Sequence, residues 1–311
     1  MMSSAIEMQN SNCEICCSTN TQVVKIRPRL EYLICQACGH CLLVTGDTSL
    51  EETFAASQKK YFGKDTVLIE AGDSPLEDEV MTRRQVVFSR FVKKPSTLLE
   101  VGPGAGIFLG WACRQGHRVT AIEESSVLAS AVEARTGAQV IIERFESNTL
   151  SAASQDVFCS FHVIEHVADP RTHFEEAACV VRPGGLAFIA TPNAASWARK
   201  LFRRLSPNFD SAHLRVFSTQ SLQRLAAETG WHVLYAETPE YTSGWLRVAS
   251  KAIRRLRSED EETTAGKYSV ASPRLSVAYK LVAALSWPLR KLQSLLGGGN
   301  EIFLVLRRPE E

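Results

Sequence analysis

The sequence predicts an α/β protein, a doubly wound and mostly parallel sheet preceded by a small cysteine-stapled module. Three observations carry this. An apolar strand with an acid in it, Leu98-Leu99-Glu100-Val101, breaks at once into Gly102-Pro103-Gly104-Ala105-Gly106. Further apolar strands end at Glu123, at Phe161 and at Pro192, and they alternate with stretches of helical spacing, as βαβ units do. Two Cys-x-x-Cys pairs, Cys13/Cys16 and Cys35/Cys38, stand near the N-terminus with eighteen residues between them.

Glycines at alternate positions let the chain turn sharply, and no side chain holds a ligand away from the backbone. Ile107 to Cys113 reads as the helix that follows. A nicotinamide or flavin fingerprint requires a sixth-position glycine, and Ile107 stands there, which disfavours a dinucleotide. Val119-Thr120-Ala121-Ile122-Glu123 is a second strand, roughly twenty residues on, and its terminal acid can accept hydrogen bonds from both hydroxyls of a ribose. The same acid suits the start of a helix at Ser125-Ser126, so the two roles are compatible.

Asp156 to Phe161 begins as a buried strand and passes into the charged turn His162-Val163-Ile164-Glu165-His166. Arg182-Pro183-Gly184-Gly185 then forms a tight turn ahead of Leu186 to Ala190 and Thr191-Pro192-Asn193. Acid-x-Gly-x-Gly-x-Gly after a strand, with these segments in this order from Leu98 to Asn193, resembles the class I S-adenosylmethionine methyltransferases, in particular their ubiquinone-methyltransferase-like group. The resemblance implies a Rossmann-like, seven-stranded sheet in which the last strand, here Asn300 to Arg308, runs antiparallel between the fifth and the sixth, Trp231 to Glu237. It implies S-adenosylmethionine as cofactor, held by Glu100, Gly102, Gly104, Gly106 and Glu123, with Phe161 beside it.

Composition is that of a globular enzyme. The chain has 311 residues, is 45% hydrophobic and carries a net charge of +1, so nothing global draws it to nucleic acid. No charged-then-apolar leader opens it and no apolar run is long enough to span a bilayer, which predicts a cytoplasmic protein. The nine cysteines fit a reducing compartment.

The cysteine spacing predicts a zinc ribbon in which Cys13, Cys16, Cys35 and Cys38 supply four thiolates to one structural ion, with a hairpin from Val23 to Tyr32 turning near Pro28. Cys17, His40 and Cys41 are neighbours able to substitute. Four ligands leave no open position for chemistry. The expected organisation is a ribbon over 1–48, a helical lid over 49–94, a cofactor-binding core over 95–240, a helical insertion over 241–298 and the last strand over 299–311.

Helical spacing over Leu50 to Lys64 and Glu77 to Phe91 supplies the lid, from which Tyr61, Arg83 and Arg84 are the residues able to reach the site; adjacent arginines point in different directions. An arginine facing the methionine carboxylate makes a bidentate, charge-assisted pair. On the acceptor side, His213 is the first candidate for a base that takes a hydroxyl proton, and His162 the second. The ubiquinone-type enzymes place a divalent metal near an acid-x-x-Glu-His set; His162 stands here where their first acid would, which weakens a hard-metal site. The insertion carries an apolar stripe with Arg247, Lys251, Arg254 and Arg255 opposite, then an apolar second half with Pro288 inside it, so 245–296 either packs as a lid or touches a membrane surface, while the acidic run Glu259 to Glu262 reads as an exposed loop. The expected activity is methyl transfer to an oxygen of a small-molecule, glycan or lipid-linked acceptor. The alternatives are an RNA methyltransferase, disfavoured by the neutral charge and by Thr191-Pro192-Asn193 where base-methylating enzymes have Asn-Pro-Pro-aromatic, and a catalytically silent binding module.

Overall fold

The computed structural model describes residues 12–56 other than 29, 47, 51 and 54, and residues 75–147, 149–202, 205–256 and 273–310. Tyr61, most of the predicted helix from Leu50 to Lys64, and the run Glu259 to Glu262 lie outside the described residues.

In chain order the elements are β1 (Thr21–Arg27), β2 (Leu30–Cys35), β3 (Cys41–Leu43), α1 (Pro75–Phe91), β4 (Thr97–Val101), α2 (Ile107–Arg114), β5 (Arg118–Ile122), α3 (Ser126–Thr136), β6 (Gln139–Ile141), β7 (Gln155–Phe161), α4 (Pro170–Val180), β8 (Val181–Pro192), α5 (Trp197–Phe202), β9 (Arg215–Val216), α6 (Thr219–Glu228), β10 (His232–Glu237), α7 (Thr242–Leu256), α8 (Pro273–Leu295) and β11 (Glu301–Arg307). The main sheet has the order β10-β11-β8-β7-β4-β5-β6. β4, β5, β6, β7 and β8 run parallel, and β11 is antiparallel to both β8 and β10. The predicted Rossmann-like sheet with an inserted antiparallel last strand is the observed one.

Local chemistry explains the element boundaries. Ser125 caps α3 by accepting from the Leu128 amide, and Gly137 ends it in the left-handed conformation. Ser218 and Ser221 form a capping box on α6. The central strands are buried on both faces, which is why β4 and β7 read as continuous apolar runs. The Arg182 to Gly185 turn is absorbed into the start of β8, because Gly185 accepts from the Arg308 amide and so continues the pairing with β11.

A second sheet, β1-β2-β3-β9, joins the N-terminal module to the core. Its fourth strand comes from the loop that carries His213, so the ribbon is extended by the core's own chain. The late helices pack inward: α7 lies against α1 and α8, and Arg290 of α8 donates to Glu79 of α1 and to the Glu240 carbonyl.

Candidate functional site

Every parallel strand delivers its C-terminal end to one edge of the sheet, where open α/β sheets bind ligands. At that edge Gly102, Gly104 and Gly106 all have positive φ, at 61°, 55° and 70°. A Cβ on Gly102 would meet Val163 at 2.8 Å, and one on Gly106 would press on Val132, whereas Gly104 faces open space. The loop is thus held from behind and bare in front, a backbone cradle for a ligand. Glu100 behind it is buried, with one carboxylate oxygen lacking a hydrogen-bond partner; burial pushes its carboxyl up to about 8 although Arg84 pulls the other way.

Glu123 follows β5 and is buried; one oxygen accepts from the Ser125 amide at 3.0 Å. Phe161 ends β7 between Phe108 and Phe303, with ring centroids 5.0 and 6.0 Å away. The guanidinium of Arg84 lies 4.5 Å over the Phe161 ring, and its Nε, although buried, has no hydrogen-bond partner. Arg83 turns to the sheet edge instead and donates to Glu237 and Tyr235. The adjacent arginines diverge as the helical spacing predicts, and the structure brings Arg84 to Phe161.

Beyond Phe161 the chain turns through His162, whose φ of 59° is unusual for a residue with a side chain. Its two ring nitrogens contact Glu165 at 3.1 Å and Glu301 at 2.7 Å. Burial opposes a charge on this ring, but the two carboxylates prevail and raise it to about 9. Burial likewise works against ionising Glu165, yet contact with His162 draws it down to about 2. Glu165 also accepts from the Thr191 hydroxyl at 2.9 Å.

Next to this pair stand two more imidazoles. His166 Nδ1 donates to the Ala212 carbonyl at 2.7 Å and His213 Nδ1 donates to the Asn208 carbonyl at 2.9 Å. A carbonyl can only accept, so both rings carry hydrogen on Nδ1. In the neutral ring Nε2 is then the basic nitrogen. The two rings meet edge to face at 4.9 Å, and ligating atoms of Glu165, His166 and His213 fall within 4.8 Å of one another.

At the ribbon, the sulfurs of Cys13, Cys16, Cys35 and Cys38 likewise lie within 4.8 Å of one another, with Cys13–Cys38 at 3.7 Å and Cys16–Cys35 at 3.4 Å. The possible substitutes are directed elsewhere: His40 meets Glu14, Cys41 donates to the Gly39 carbonyl, and Cys17 is exposed. The ribbon grips the loop that carries His213. The Tyr32 hydroxyl lies 2.8 and 2.7 Å from the carbonyls of Asp210 and His213, the Leu43 amide donates to the Leu214 carbonyl, and buried Arg215 makes a two-pronged ion pair with Glu14.

Sequence reasoning missed Glu301, Tyr241 and Glu14. Glu301 opens β11, touches His162 and accepts from Tyr241. The signal was available, since an antiparallel last strand must start at the edge where its parallel neighbours end. No local pattern marks Glu14 as the partner of Arg215.

The fold is that of the class I methyltransferases, a family of S-adenosylmethionine-dependent enzymes. Residues 76–236 match the family model described as a methyltransferase domain, so the chain belongs to that family. It is 36% identical to a ubiquinone biosynthesis O-methyltransferase of Parvibaculum lavamentivorans over 30% of this chain and 40% of that protein. It is 26% identical to a probable S-adenosylmethionine-dependent methyltransferase of Mycobacterium tuberculosis over 51% of this chain and 58% of that one. The match thus spans about two fifths of the ubiquinone enzyme's length. Among solved structures, the 1,6-didemethyltoxoflavin-N1-methyltransferase of Burkholderia thailandensis, with bound S-adenosylhomocysteine, aligns over 93% of this chain and 99% of its own at a TM-score of 0.53 and 14% identity, a likeness of fold. Among the described residues no helix is long and apolar enough to cross a membrane.

Proposed function

We propose that this protein methylates a hydroxyl of a small-molecule, glycan or lipid-linked acceptor. The observation that carries the reading is His213, an imidazole fixed by its Nδ1 contact beside His166 and Glu165 at the cofactor edge of the sheet. The names of the ubiquinone relatives support oxygen as the acceptor atom.

S-adenosylmethionine, when bound, supplies an activated methyl on a sulfonium. Glu123 suits its ribose hydroxyls, Gly104 gives its chain room, and the unpartnered Nε of Arg84 suits its carboxylate. His213 Nε2 would take the proton of the acceptor hydroxyl as that oxygen accepts the methyl which bound S-adenosylmethionine would supply. His162 is not given this role, because both its nitrogens face carboxylates and it is held as a cation. Two imidazoles and a carboxylate also make a metal-like donor set. Glu165 already accepts from His162 and from the Thr191 hydroxyl, and the positive charge held on His162 beside it disfavours a second cation there.

For the four cysteines the fit is good. Tetrahedral zinc with bonds of about 2.3 Å needs sulfurs about 3.8 Å apart, close to the spacing observed, whereas a disulfide needs about 2.05 Å. A zinc ion held by Cys13, Cys16, Cys35 and Cys38 would close the ribbon that holds the His213 loop.

The test is transfer of labelled methyl to a panel of phenols, glycans, isoprenoid phenols and RNA. Label in a hydroxylated small molecule, glycan or lipid, lost in His213→Gln, supports the reading. Label in RNA alone, or full turnover by His213→Gln, overturns it.

A further inference from the structure

The α8 helix is amphipathic in the opposite sense to a helix on a water-facing surface. Among its described side chains it buries Arg290 and Gln293 and exposes Leu281, Leu285, Leu289, Leu292 and Leu295. Leu281, Leu285 and Leu292, continued by Leu296 just past the helix end, form a stripe in which Leu285 is 82% exposed; Leu289 and Leu295 are exposed on its flanks, and Trp287 is exposed farther round the helix. At about 100° per residue the stripe spans roughly 60° of the helix, and Lys280 and Lys291 lie roughly 130° and roughly 110° from its centre, both on one side. Both lysines are exposed, and no acid occurs from 279 to 300. The inward face is fixed in place: Gln293 donates to Glu240 and to the Gly298 carbonyl, and Arg290 donates to Glu79 and Glu240. Rotating the helix to hide its leucines would strip these buried groups of their partners.

We propose that this face of α8 docks on an anionic lipid surface, lying in the plane of the interface with the leucine stripe among the acyl chains and Lys280 and Lys291 at the headgroups. Convex apolar surface flanked by lysines at headgroup height is what an interfacial helix presents. The acid-free face selects anionic lipid. It also argues against a second copy of the chain. In a two-fold contact the same patch meets itself, and it supplies no carboxylate to face Lys280 and Lys291. The proposal does not depend on which acceptor is methylated.

The experiment is co-sedimentation of the full chain with phosphatidylcholine vesicles and with vesicles of equal parts phosphatidylcholine and phosphatidylglycerol. The wild type is expected to bind the anionic vesicles more tightly. Leu285→Glu/Leu295→Glu, both exposed and so tolerated by the fold, should bind about tenfold or more weakly. Lys280→Glu/Lys291→Glu should lose the preference for anionic lipid. Circular dichroism and the melting temperature confirm that the variants fold. No binding by folded wild type, or equal binding by Leu285→Glu/Leu295→Glu, overturns the proposal. So does a concentration-dependent dimer, seen by light scattering, that the leucine variant dissociates.

Discussion

Replacing Arg215 with methionine tests whether the ribbon and the core are one structural unit. The guanidinium is buried and holds both oxygens of Glu14, whose side chain is 28% exposed. Burial alone would push the Glu14 carboxyl up, yet His40 and Arg215 bring it from its ordinary 4.5 to about 2. At about 1.36 kcal/mol per pH unit, that shift corresponds to roughly 3 kcal/mol of stabilisation, shared between the two partners. Arg215→Met is therefore expected to cost about 3 kcal/mol at neutral pH, because it also leaves Glu14 half paired. The melting temperature should drop by about 5 °C. A folded-state value below the unfolded one means that the contribution is complete above about pH 4.5 and fades as pH falls toward 2. The gap between wild type and variant should close over that window in a series of urea titrations. A double-mutant cycle with Glu14→Gln should give a coupling of about 1.5 kcal/mol or more. Additive costs with no coupling at pH 7 would refute the account of the joint.

Tyr32→Phe removes the only hydroxyl on that side chain and leaves the Asp210 and His213 carbonyls without it, so methyl transfer should slow while cofactor affinity stays unchanged, at a stability cost of about 1–2 kcal/mol; equal loss of cofactor binding would contradict a role confined to the His213 loop. Arg84→Ala should weaken S-adenosylmethionine binding about tenfold or more in calorimetry, and Arg84→Lys should not restore it, since lysine lacks the planar fork. His162 is raised to about 9, so its contribution is complete below about pH 6.5 and lost as pH rises through 9. With the ring 42% exposed, solvent screening reduces that contribution to about 1–2 kcal/mol, and a wild type as stable at pH 10 as at pH 7, against a His162→Gln control, would remove the ion pair from the account.

Features that repeat locally were legible in the sequence. The alternating glycines, Glu123 one βα unit later and the two cysteine pairs each concern neighbouring residues whose spacing is set by one turn or one knuckle, and the strand order was what the resemblance to the class I methyltransferases implied. The boundaries that shifted did so for tertiary reasons, as where β11 pairs with the Arg182 to Gly185 turn and draws it into β8. What the sequence does not reveal is pairing across long separations. Glu301 meets His162 across 139 positions and Glu14 meets Arg215 across 201, and no periodicity links such residues. The string His213-Leu214-Arg215-Val216-Phe217-Ser218 was visible, but its purpose was not. Arg215 and Val216 extend the ribbon sheet, and Ser218 both caps α6 and contacts the Cys38 carbonyl.

The central claim is that the Glu100 to Gly106 loop and Glu123 form the binding site of S-adenosylmethionine. Isothermal titration of the full chain with S-adenosylmethionine, repeated on Glu123→Ala, tests it most directly. The account predicts saturable binding at one site per chain, weakened about tenfold or more when the ribose carboxylate is removed. No heat of binding and no thermal stabilisation of wild type by the cofactor, or an affinity that Glu123→Ala leaves untouched, would contradict it.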